Sequence, residues 1–335
     1  MSELNKIALK IVSSGKGILA ADESTATMTK RLESVKVEST DENRLKFRSI
    51  LLSSKSMKDC IGGVILYDET IKQNYKDRSI PELISKSDVV PGIKVDTGVK
   101  KLAKSNEEKI TEGLDGLRER LKNYYNLGAR FTKWRAVYQI SNKYPSKLAI
   151  DVNAHALARY ASLVQEAGMV PIVEPEVLME GNHSAQDCFN KTSEVIKKCF
   201  DELIFHKVDL KGVILKPNMI LPGLKSEQKI SSDEIAELTL KCLINSVPSE
   251  VPGVAFLSGG QSEIQATKNL NTINKQNKSK FIMTYSYGRA LQQSALKHWA
   301  KDISDVEGTQ RVFNHRANMC ALASKGKWSE EVDKV

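Results

Sequence analysis

Long apolar runs are missing from this chain of 335 residues, since no stretch approaches the roughly 20 consecutive apolar residues that span a bilayer. The first residues, MSELNKIALKIVSS, carry a charge within every candidate apolar stretch. They therefore predict an amphipathic helix and not a secretory signal. We expect a cytoplasmic protein that has no membrane partner.

Cysteine is scarce, and its spacing argues against both disulfides and a zinc site. The five cysteines are widely spaced, odd in number and free of any CxxC or Cys/His cluster. This usage is typical of a reducing compartment. We expect no metal and no other cofactor at the functional site. The cysteines are Cys60, Cys188, Cys199, Cys242 and Cys320.

The charge balance is basic, but the basic residues are dispersed along the chain. The formal net charge is +9, yet the lysines form no long run and no stripe interleaved with aromatic residues. This pattern argues against a nucleic acid as partner. It leaves two interpretations, a solvated basic surface or a substrate that carries phosphate groups.

A short apolar segment followed by a longer amphipathic segment recurs along the chain. Each short segment is apolar at nearly every position, as expected for strands buried on both faces of a parallel sheet. No linker or low-complexity block divides the sequence, so we expect one domain over residues 1–335. The predicted strands are 17–21, 61–67, 90–95, 129–134, 169–175, 211–217, 253–259 and 281–287.

Helical patterns fill the intervals between these strands. One begins with Thr40 as a predicted N-cap, and another ends on Gly168 after a long periodic run. Strands that alternate with helices predict an α/β fold, a (β/α)8 TIM barrel with additional N-terminal and C-terminal helices. A doubly wound open sheet is the alternative, but the GxGxxG loop that would favour it is absent after the first strand. The predicted helices include 40–54, 148–168, 231–247, 261–275 and 289–300.

Polar side chains stand at or just beyond the end of the predicted strands. An unpaired buried charge is costly, so a core would not carry one on strand after strand. Strand ends that line a shared polar pocket explain the pattern, because barrel enzymes keep their chemistry there. The residues are Asp22, Asp68, Glu69, Lys94, Lys133, Arg135, Glu174, Glu176, Lys216, Ser258, Ser286 and Arg289.

Three lysines and two glycine turns make this prediction more specific. Lys94, Lys133 and Lys216 fall on predicted strands three, four and six, and crowding of cations favours a neutral amine that can attack a carbonyl. The segments SGGQS (258–262) and SYGRA (286–290) each run from a strand through glycine into a helix. Helix N-termini after strands seven and eight of a barrel predict a phosphate site.

Most of the strand-end residues lie within longer motifs, and the family pattern that these motifs indicate covers the chain from about residue 7 to residue 326. The motifs are GKGILAADEST (15–25), IGGVIL (61–66), GIKVDTG (92–98), FTKWR (131–135), VPIVEPEVL (170–178), ILKPNM (214–219), FLSGGQSE (256–263) and SYGRALQ (286–292). VEPE, LKPNM and SGGQSE on successive strands are the most specific of them. By these motifs the sequence resembles the class I fructose-1,6-bisphosphate aldolases.

The resemblance implies a glycolytic and gluconeogenic lyase that cleaves fructose 1,6-bisphosphate reversibly through a lysine Schiff base. In that family pattern, Lys216 attacks the C2 ketone, and Lys133 is the neighbouring cation that keeps Lys216 partly neutral and also contacts substrate. Glu174 resembles the general acid/base, and Glu176 would be its supporting partner. Asp22 resembles the carboxylate that orients Lys216 and removes the C4 hydroxyl proton.

The resemblance also implies contacts to the two phosphate groups of the substrate. The residues that fall where the family binds the C1 phosphate are Ser258, Gly259, Ser286, Gly288 and Arg289. Those near the other end are Ser24, Arg31, Lys94 and Arg135. The family further implies a homo-oligomer, with a tetramer favoured over a dimer.

Two other functions remain open at this point. A different Schiff-base barrel, transaldolase-like or deoxyribose-phosphate aldolase-like, would use similar lysine chemistry, although VEPE and SGGQSE argue against both. A scaffold role that binds actin or another acidic partner is compatible with the charge of +9. The sequence also leaves open the preference between fructose 1,6-bisphosphate and fructose 1-phosphate.

Two features depart from the family pattern. Ala26 and Thr27 stand where many members have glycine and serine, which predicts a stiffer turn after the first strand. The last tyrosine is Tyr287, whereas many eukaryotic members carry a tyrosine on a flexible tail that helps to protonate the enamine. We assign that protonation to no residue of this chain.

Overall fold

Eight parallel strands form a closed barrel at the centre of the computed structural model, which describes residues 1–105 and 107–334. The strands follow one another around the barrel in chain order, and the first pairs with the last. This closure confirms the predicted (β/α)8 architecture and excludes the open sheet. The strands are β1 Gly17–Ala21, β2 Ile61–Leu66, β3 Val90–Lys94, β4 Phe131–Tyr138, β5 Val170–Val177, β6 Ile214–Leu215, β7 Gly253–Phe256 and β8 Ile282–Tyr287.

Some strand boundaries differ from those that the apolar pattern predicted. β4 and β5 pair along their whole length, from Phe131 opposite Val170 to Tyr138 opposite Val177. The prediction ended both strands too early, because polar residues such as Arg135 interrupt the apolar run although the backbone pairing continues. β6 is shorter than predicted, since a 3-10 turn at Leu210–Gly212 occupies its expected start.

Helices surround the barrel and follow most of its strands. Their bounds are α1 Glu3–Ile11, α2 Thr25–Glu33, α3 Asp41–Leu52, α4 Ser56–Cys60, α5 Asp68–Ile71, α6 Ile80–Ser85, α7 Leu117–Asn126, α8 Lys147–Glu166, α9 Ala185–Phe205, α10 Ser232–Ser246, α11 Glu263–Gln276, α12 Arg289–Trp299, α13 Val306–Ala323 and α14 Glu330–Asp333. Within the described residues, no helix is both long enough and apolar enough to cross a membrane.

Capping residues read from the sequence set the ends of several helices. The Thr40 hydroxyl accepts a hydrogen bond of 3.1 Å from the Asn43 amide, which confirms the predicted start of α3. Ser231 and Glu234 form a reciprocal capping box at the start of α10. Gly168 has φ +73°, the left-handed conformation that suits the residue after a helix.

Apolar side chains fill the barrel interior and close its amino-terminal end. Phe131 and Ile172 belong to an interior cluster that also contains Ile11 of the amphipathic helix α1. A Cβ atom at Gly62 would lie 1.9 Å from the Ile11 carbonyl oxygen, so glycine at this position allows α1 to approach the start of β2. With this end packed, the charged side chains that line the cavity come from the opposite end of the barrel.

The C-terminal helices pack on the outside of the barrel and are held there by one carboxylate. Asp333 accepts hydrogen bonds from His315 Nε2 at 2.9 Å, Arg316 Nη1 at 2.6 Å and Trp328 Nε1 at 2.8 Å. Arg316 also donates to the Thr267 hydroxyl on α11 at 3.1 Å. These bonds connect α14 to α13 and α11.

Two short hairpins lie outside the barrel and were not predicted. Asn74–Tyr75 pairs with Arg78–Ser79, and Gly98–Lys101 pairs with Lys109–Glu112. Their residues are largely exposed and polar, so they lack the apolar pattern on which strand prediction depends. The second hairpin begins directly after β3 and brings Gly98 and Val99 to the edge of the cavity described below.

Candidate active site

A cavity of about 770 Å³ opens at the carboxyl ends of the barrel strands. Every residue to which the family resemblance assigns a role lines it, which places side chains from opposite sides of the barrel around one space. These residues are Asp22, Ser24, Arg31, Lys94, Lys133, Arg135, Glu174, Glu176, Lys216, Ser258, Gly259, Ser286, Gly288 and Arg289.

Two lysines and two carboxylates form a continuous, largely buried chain at the base of this cavity. Lys133 Nζ lies 2.7 Å from Asp22 Oδ2 and 3.3 Å from Glu174 Oε2. The other oxygen of Glu174 lies 3.1 Å from Lys216 Nζ. In this arrangement Glu174 is the carboxylate that contacts Lys216, and Asp22 contacts Lys133.

The strand register explains why these groups meet. Lys133 on β4 stands beside Ile172 of β5, so Glu174 lies two residues farther along β5 and on the same face. The backbone amide of Lys216 donates to the Val173 carbonyl at 2.9 Å, which fixes the residue after β6 next to β5. Side chains of three successive parts of the barrel therefore converge.

The electrostatics of the cluster favour ionised carboxylates. Burial alone would raise the pKa of Asp22, but the charges of Lys133 and Lys216 lower it from 3.8 to about 2. Burial would also raise the pKa of Glu174, but the charges of the same two lysines outweigh it and lower this pKa. Conversely, burial would lower the pKa of Lys133, whereas Asp22 and Glu174 raise it well above its ordinary value. Lys133 is therefore a permanent cation at neutral pH.

Two further ion pairs line the β3 and β4 side of the cavity. Arg135 Nε lies 2.5 Å from Glu176 Oε2, so Glu176 pairs with Arg135. Glu176 follows Glu174 by two residues on the same face of β5. Lys94 Nζ lies 2.7 Å from Asp96 Oδ1. The second oxygen of Asp96 accepts the Arg135 backbone amide at 3.2 Å, so this buried carboxylate fixes Lys94 relative to β4.

The loops after β7 and β8 form the opposite side of the cavity. The Ser286 hydroxyl is buried and, among the described residues, has no hydrogen-bond partner. Arg289 is the first residue of α12 and follows Gly288 directly. A Cβ atom at Gly259 would lie 3.1 Å from Glu176 Oε1, so glycine leaves this backbone accessible to a ligand. These donors at helix starts suit a phosphate group.

The segment after β1 lies between these two sides. Arg31 pairs with Glu23 and lies 3.5 Å from Gln292 Oε1 of α12. Its Nε and Nη2 atoms are buried and have no hydrogen-bond partner within residues 1–105 and 107–334. The Nε and Nη2 donors of a guanidinium that is held in place therefore remain for an anion.

The cavity carries more basic than acidic side chains. The basic ones are Lys30, Arg31, Lys94, Lys133, Arg135, Lys216 and Arg289, and the acidic ones are Asp22, Glu23, Asp96, Glu174 and Glu176. The surplus of positive charge favours an anionic ligand.

Two interpretations of individual residues were wrong. Asp68 and Glu69 do not line the cavity, because Asp68 accepts a hydrogen bond from Tyr124 and Glu69 pairs with Arg44. Ala26 belongs to α2 and not to a turn, since the Ser24 hydroxyl caps that helix.

Several cavity residues were not found by sequence reasoning. Asp96 could have been found, because it follows Lys94 by two residues and carries the opposite charge. Glu23 follows Asp22 directly, and no sequence pattern indicated a role for it. Tyr67 and Gln293 lie in loops and helices whose orientation only the fold determines.

The comparisons with known proteins agree with this geometry. A family model described as fructose-bisphosphate aldolase class-I matches residues 3–335. A probable class 1 fructose-bisphosphate aldolase of Xylella fastidiosa is 46% identical over 330 residues, which cover 98% of this chain and 99% of that protein. Fructose-bisphosphate aldolase C-B of Danio rerio is 49% identical over 97% of this chain and 91% of its own length.

A solved structure shows the same similarity in three dimensions. Fructose-bisphosphate aldolase from Plasmodium falciparum, in complex with TRAP and a small-molecule inhibitor, superimposes with a TM-score of 0.96. The two sequences are 44% identical, and the match covers 98% of this chain and 95% of the other. The chain therefore belongs to the class I fructose-bisphosphate aldolase family.

Proposed function

We propose that this chain cleaves fructose 1,6-bisphosphate reversibly to dihydroxyacetone phosphate and glyceraldehyde 3-phosphate through a Schiff base on Lys216. The family assignment supports the reaction and argues against a transaldolase-like or deoxyribose-phosphate aldolase-like activity. The observation that carries the assignment of the lysine is the 3.1 Å contact between Lys216 Nζ and buried Glu174 in a cation-rich cavity.

The first stage forms the covalent intermediate. Glu174 takes a proton from the Lys216 ammonium, and the neutral amine attacks C2 of the open-chain sugar. A C–N bond forms, and Glu174 returns its proton to the carbinolamine oxygen, which leaves as water. The contact of 3.1 Å puts donor and acceptor within range of direct transfer.

The second stage breaks the carbon–carbon bond. Asp22 accepts the C4 hydroxyl proton, the C3–C4 bond breaks, and its electron pair moves through C3 and C2 to the iminium nitrogen. Because a cation at Lys216 helps to lower the pKa of Asp22, conversion of the iminium ion to a neutral enamine raises the proton affinity of Asp22 as the bond breaks. The iminium ion is the electron sink, which is consistent with a metal-independent lyase.

The two sides of the cavity provide sites for the two phosphate groups. The buried hydroxyl of Ser286, the backbone at Gly259 and the Arg289 side chain would bind the C1 phosphate. Lys94 and Arg135 lie across the barrel on β3 and β4 and would face the other phosphate. The unpaired donors of Arg31 lie between these sides.

Cellular context and assembly belong to the same proposal. Relatives from Arabidopsis thaliana are named cytosolic, which supports a cytoplasmic location. Phe205 is 78% exposed and Ile204 is 56% exposed at the end of α9, which favours burial against another copy of this chain. We expect a homo-oligomer, with a tetramer favoured over a dimer. A scaffold role that binds acidic partners such as actin stays a prediction.

The assignment of Lys216 is tested by substitution and a coupled cleavage assay. Lys216→Ala should lower kcat by roughly 10³-fold or more, because no other amine replaces the covalent step. Lys229→Ala removes an exposed lysine and should leave kcat unchanged. EDTA should not change the rate of the unmodified enzyme. Retained cleavage in the folded Lys216→Ala protein would contradict the assignment.

A further inference from the structure

A cluster of three potential metal ligands lies on the helical layer, away from the catalytic cavity. His155 belongs to α8, Glu202 lies on the last turn of α9, and His206 caps that helix. One ligand atom from each side chain lies within 4.8 Å of the other two. His155 is 47 residues from Glu202 along the chain, so the sequence alone gave no sign of this cluster.

The donor types in this cluster suit a transition-metal ion. Two imidazoles and one carboxylate form a ligand set that zinc enzymes use, with water in the fourth position. Calcium and magnesium prefer oxygen ligands and would gain little from the two nitrogens. The helical spacing contributes as well, because Glu202 and His206 are four residues apart and therefore share one face of α9.

The distance between two of the ligands is close to the one that a tetrahedral shell needs. His155 Nδ1 lies 3.3 Å from Glu202 Oε2, and a ring nitrogen of His206 lies within 4.8 Å of ligand atoms of the other two residues. Metal–ligand distances of about 2.1 Å give a separation of about 3.4 Å between neighbouring ligand atoms. The side chain of His155 is 51% exposed and can rotate, whereas those of Glu202 and His206 are largely buried and hold their places.

Hydrogen bonds outside the cluster prepare two of the ligands. His206 Nδ1 lies 2.9 Å from the Glu202 backbone carbonyl and donates to it in one tautomer, which leaves the Nε2 lone pair free. Lys198 Nζ lies 2.8 Å from Glu202 Oε1, so the histidines approach the other carboxylate oxygen.

We propose that His155, Glu202 and His206 bind one Zn²⁺ or a similar first-row divalent ion, with water completing the coordination shell. The ion would connect the outer faces of α8 and α9, which pack against each other along the barrel. α9 ends just before the 3-10 turn that leads into the start of β6. The site therefore lies toward the end of the barrel opposite the cavity and acts on stability, not on the aldol chemistry.

The proposal is tested by isothermal titration of the full chain with zinc chloride, together with thermal unfolding at several zinc concentrations. We expect one ion per chain and an unfolding temperature that rises with zinc, because the ion binds the folded chain. His155→Ala and His206→Ala should each weaken zinc binding by at least about tenfold and remove the thermal shift.

A matched control uses another histidine that lies beside one carboxylate. His298 Nε2 contacts Asp305 at 2.8 Å, but this pair is not part of a three-ligand group within the described residues. His298→Ala should keep the zinc affinity and the thermal shift of the unmodified protein. Absence of zinc binding, or equal zinc affinity in all three variants, would overturn the proposal. Thermal unfolding without zinc checks that each variant is folded.

Discussion

Lys133 is the residue on which the charge balance of the cavity depends. It contacts Asp22 and Glu174 at once, and both carboxylates keep it protonated. Lys216 contacts only one of these carboxylates, so its proton has a direct route to Glu174. The two lysines are therefore chemically distinct although both are buried in the same cavity.

Removal of this cation should change the pH dependence of catalysis. In Lys133→Met, burial of Asp22 is opposed by fewer positive charges, so the pKa of Asp22 should rise from about 2. Protonated Asp22 cannot accept the C4 hydroxyl proton, so kcat should fall and its acid limb should move upward by at least about one pH unit. A kcat profile against pH measures this, with Lys229→Met as control. An acid limb at the original pH would contradict the assigned role of Asp22.

Asp96 is a positioning residue that acts through Lys94. It pairs with the Lys94 side chain and accepts the Arg135 amide, so it connects two residues that would bind a phosphate. Asp96→Asn should raise KM for fructose 1,6-bisphosphate roughly tenfold, as expected for loss of a charged hydrogen bond, with a smaller change in kcat. Lys94→Ala should raise KM to a similar extent as Asp96→Asn. An unchanged KM in Asp96→Asn would reject this role.

Residues differ in how far the sequence could predict them. Lys216, Glu174 and Asp22 were found because each stands at the end of an apolar strand within a specific motif. The contact between Arg135 and Glu176 was not found, because it depends on the register of β4 and β5. The grouping of His155 with α9 was not predictable either, since it results from the packing of two helices.

At the scale of elements, pairing between strands decides boundaries that composition leaves ambiguous. β4 carries Lys133 and Arg135 within a ladder of eight paired residues, so its polar positions look like a strand end although the strand continues. β6 contains two residues and is held by its neighbours β5 and β7. The exposed hairpins have no buried face, and their sequences therefore resemble loops.

The C-terminal helix α14 offers a test of a single element. Asp333→Asn leaves buried Arg316 without its charged partner and should lower the free energy of unfolding by about 1–3 kcal/mol. Urea unfolding measures this change. Glu330→Gln alters only an exposed pair with Lys268 and should change stability by less than about 1 kcal/mol. Equal effects of the two substitutions would contradict the role given to Asp333.

The same carboxylate predicts the sign of a pH effect. Burial would raise the pKa of Asp333, but hydrogen bonds from Trp328 and His315 and the charge of Arg316 lower it below 3.8. A carboxylate whose pKa is lowered in the folded state contributes its full stabilisation above the pKa of the unfolded state. This stabilisation is lost as the pH falls through the pKa of the folded state. The stability difference between the unmodified protein and Asp333→Asn should therefore shrink below about pH 4.

At the scale of the whole molecule, the barrel separates an apolar interior from a polar opening. α1 and the interior cluster close one end, so charged side chains are concentrated where the strands finish. The alternation of strands and helices predicted this architecture, because it depends on periodicity along the chain. The expectation of one domain over residues 1–335 and the number of copies in the oligomer stay predictions.

Covalent trapping tests the central claim most directly. The protein is incubated with dihydroxyacetone phosphate and sodium borohydride, which reduces the iminium C=N bond to a stable secondary amine. Peptide mapping by mass spectrometry should then place the three-carbon phosphate on Lys216 alone. A label on Lys133, or no label on the folded protein at full occupancy of substrate, would contradict the Schiff-base assignment.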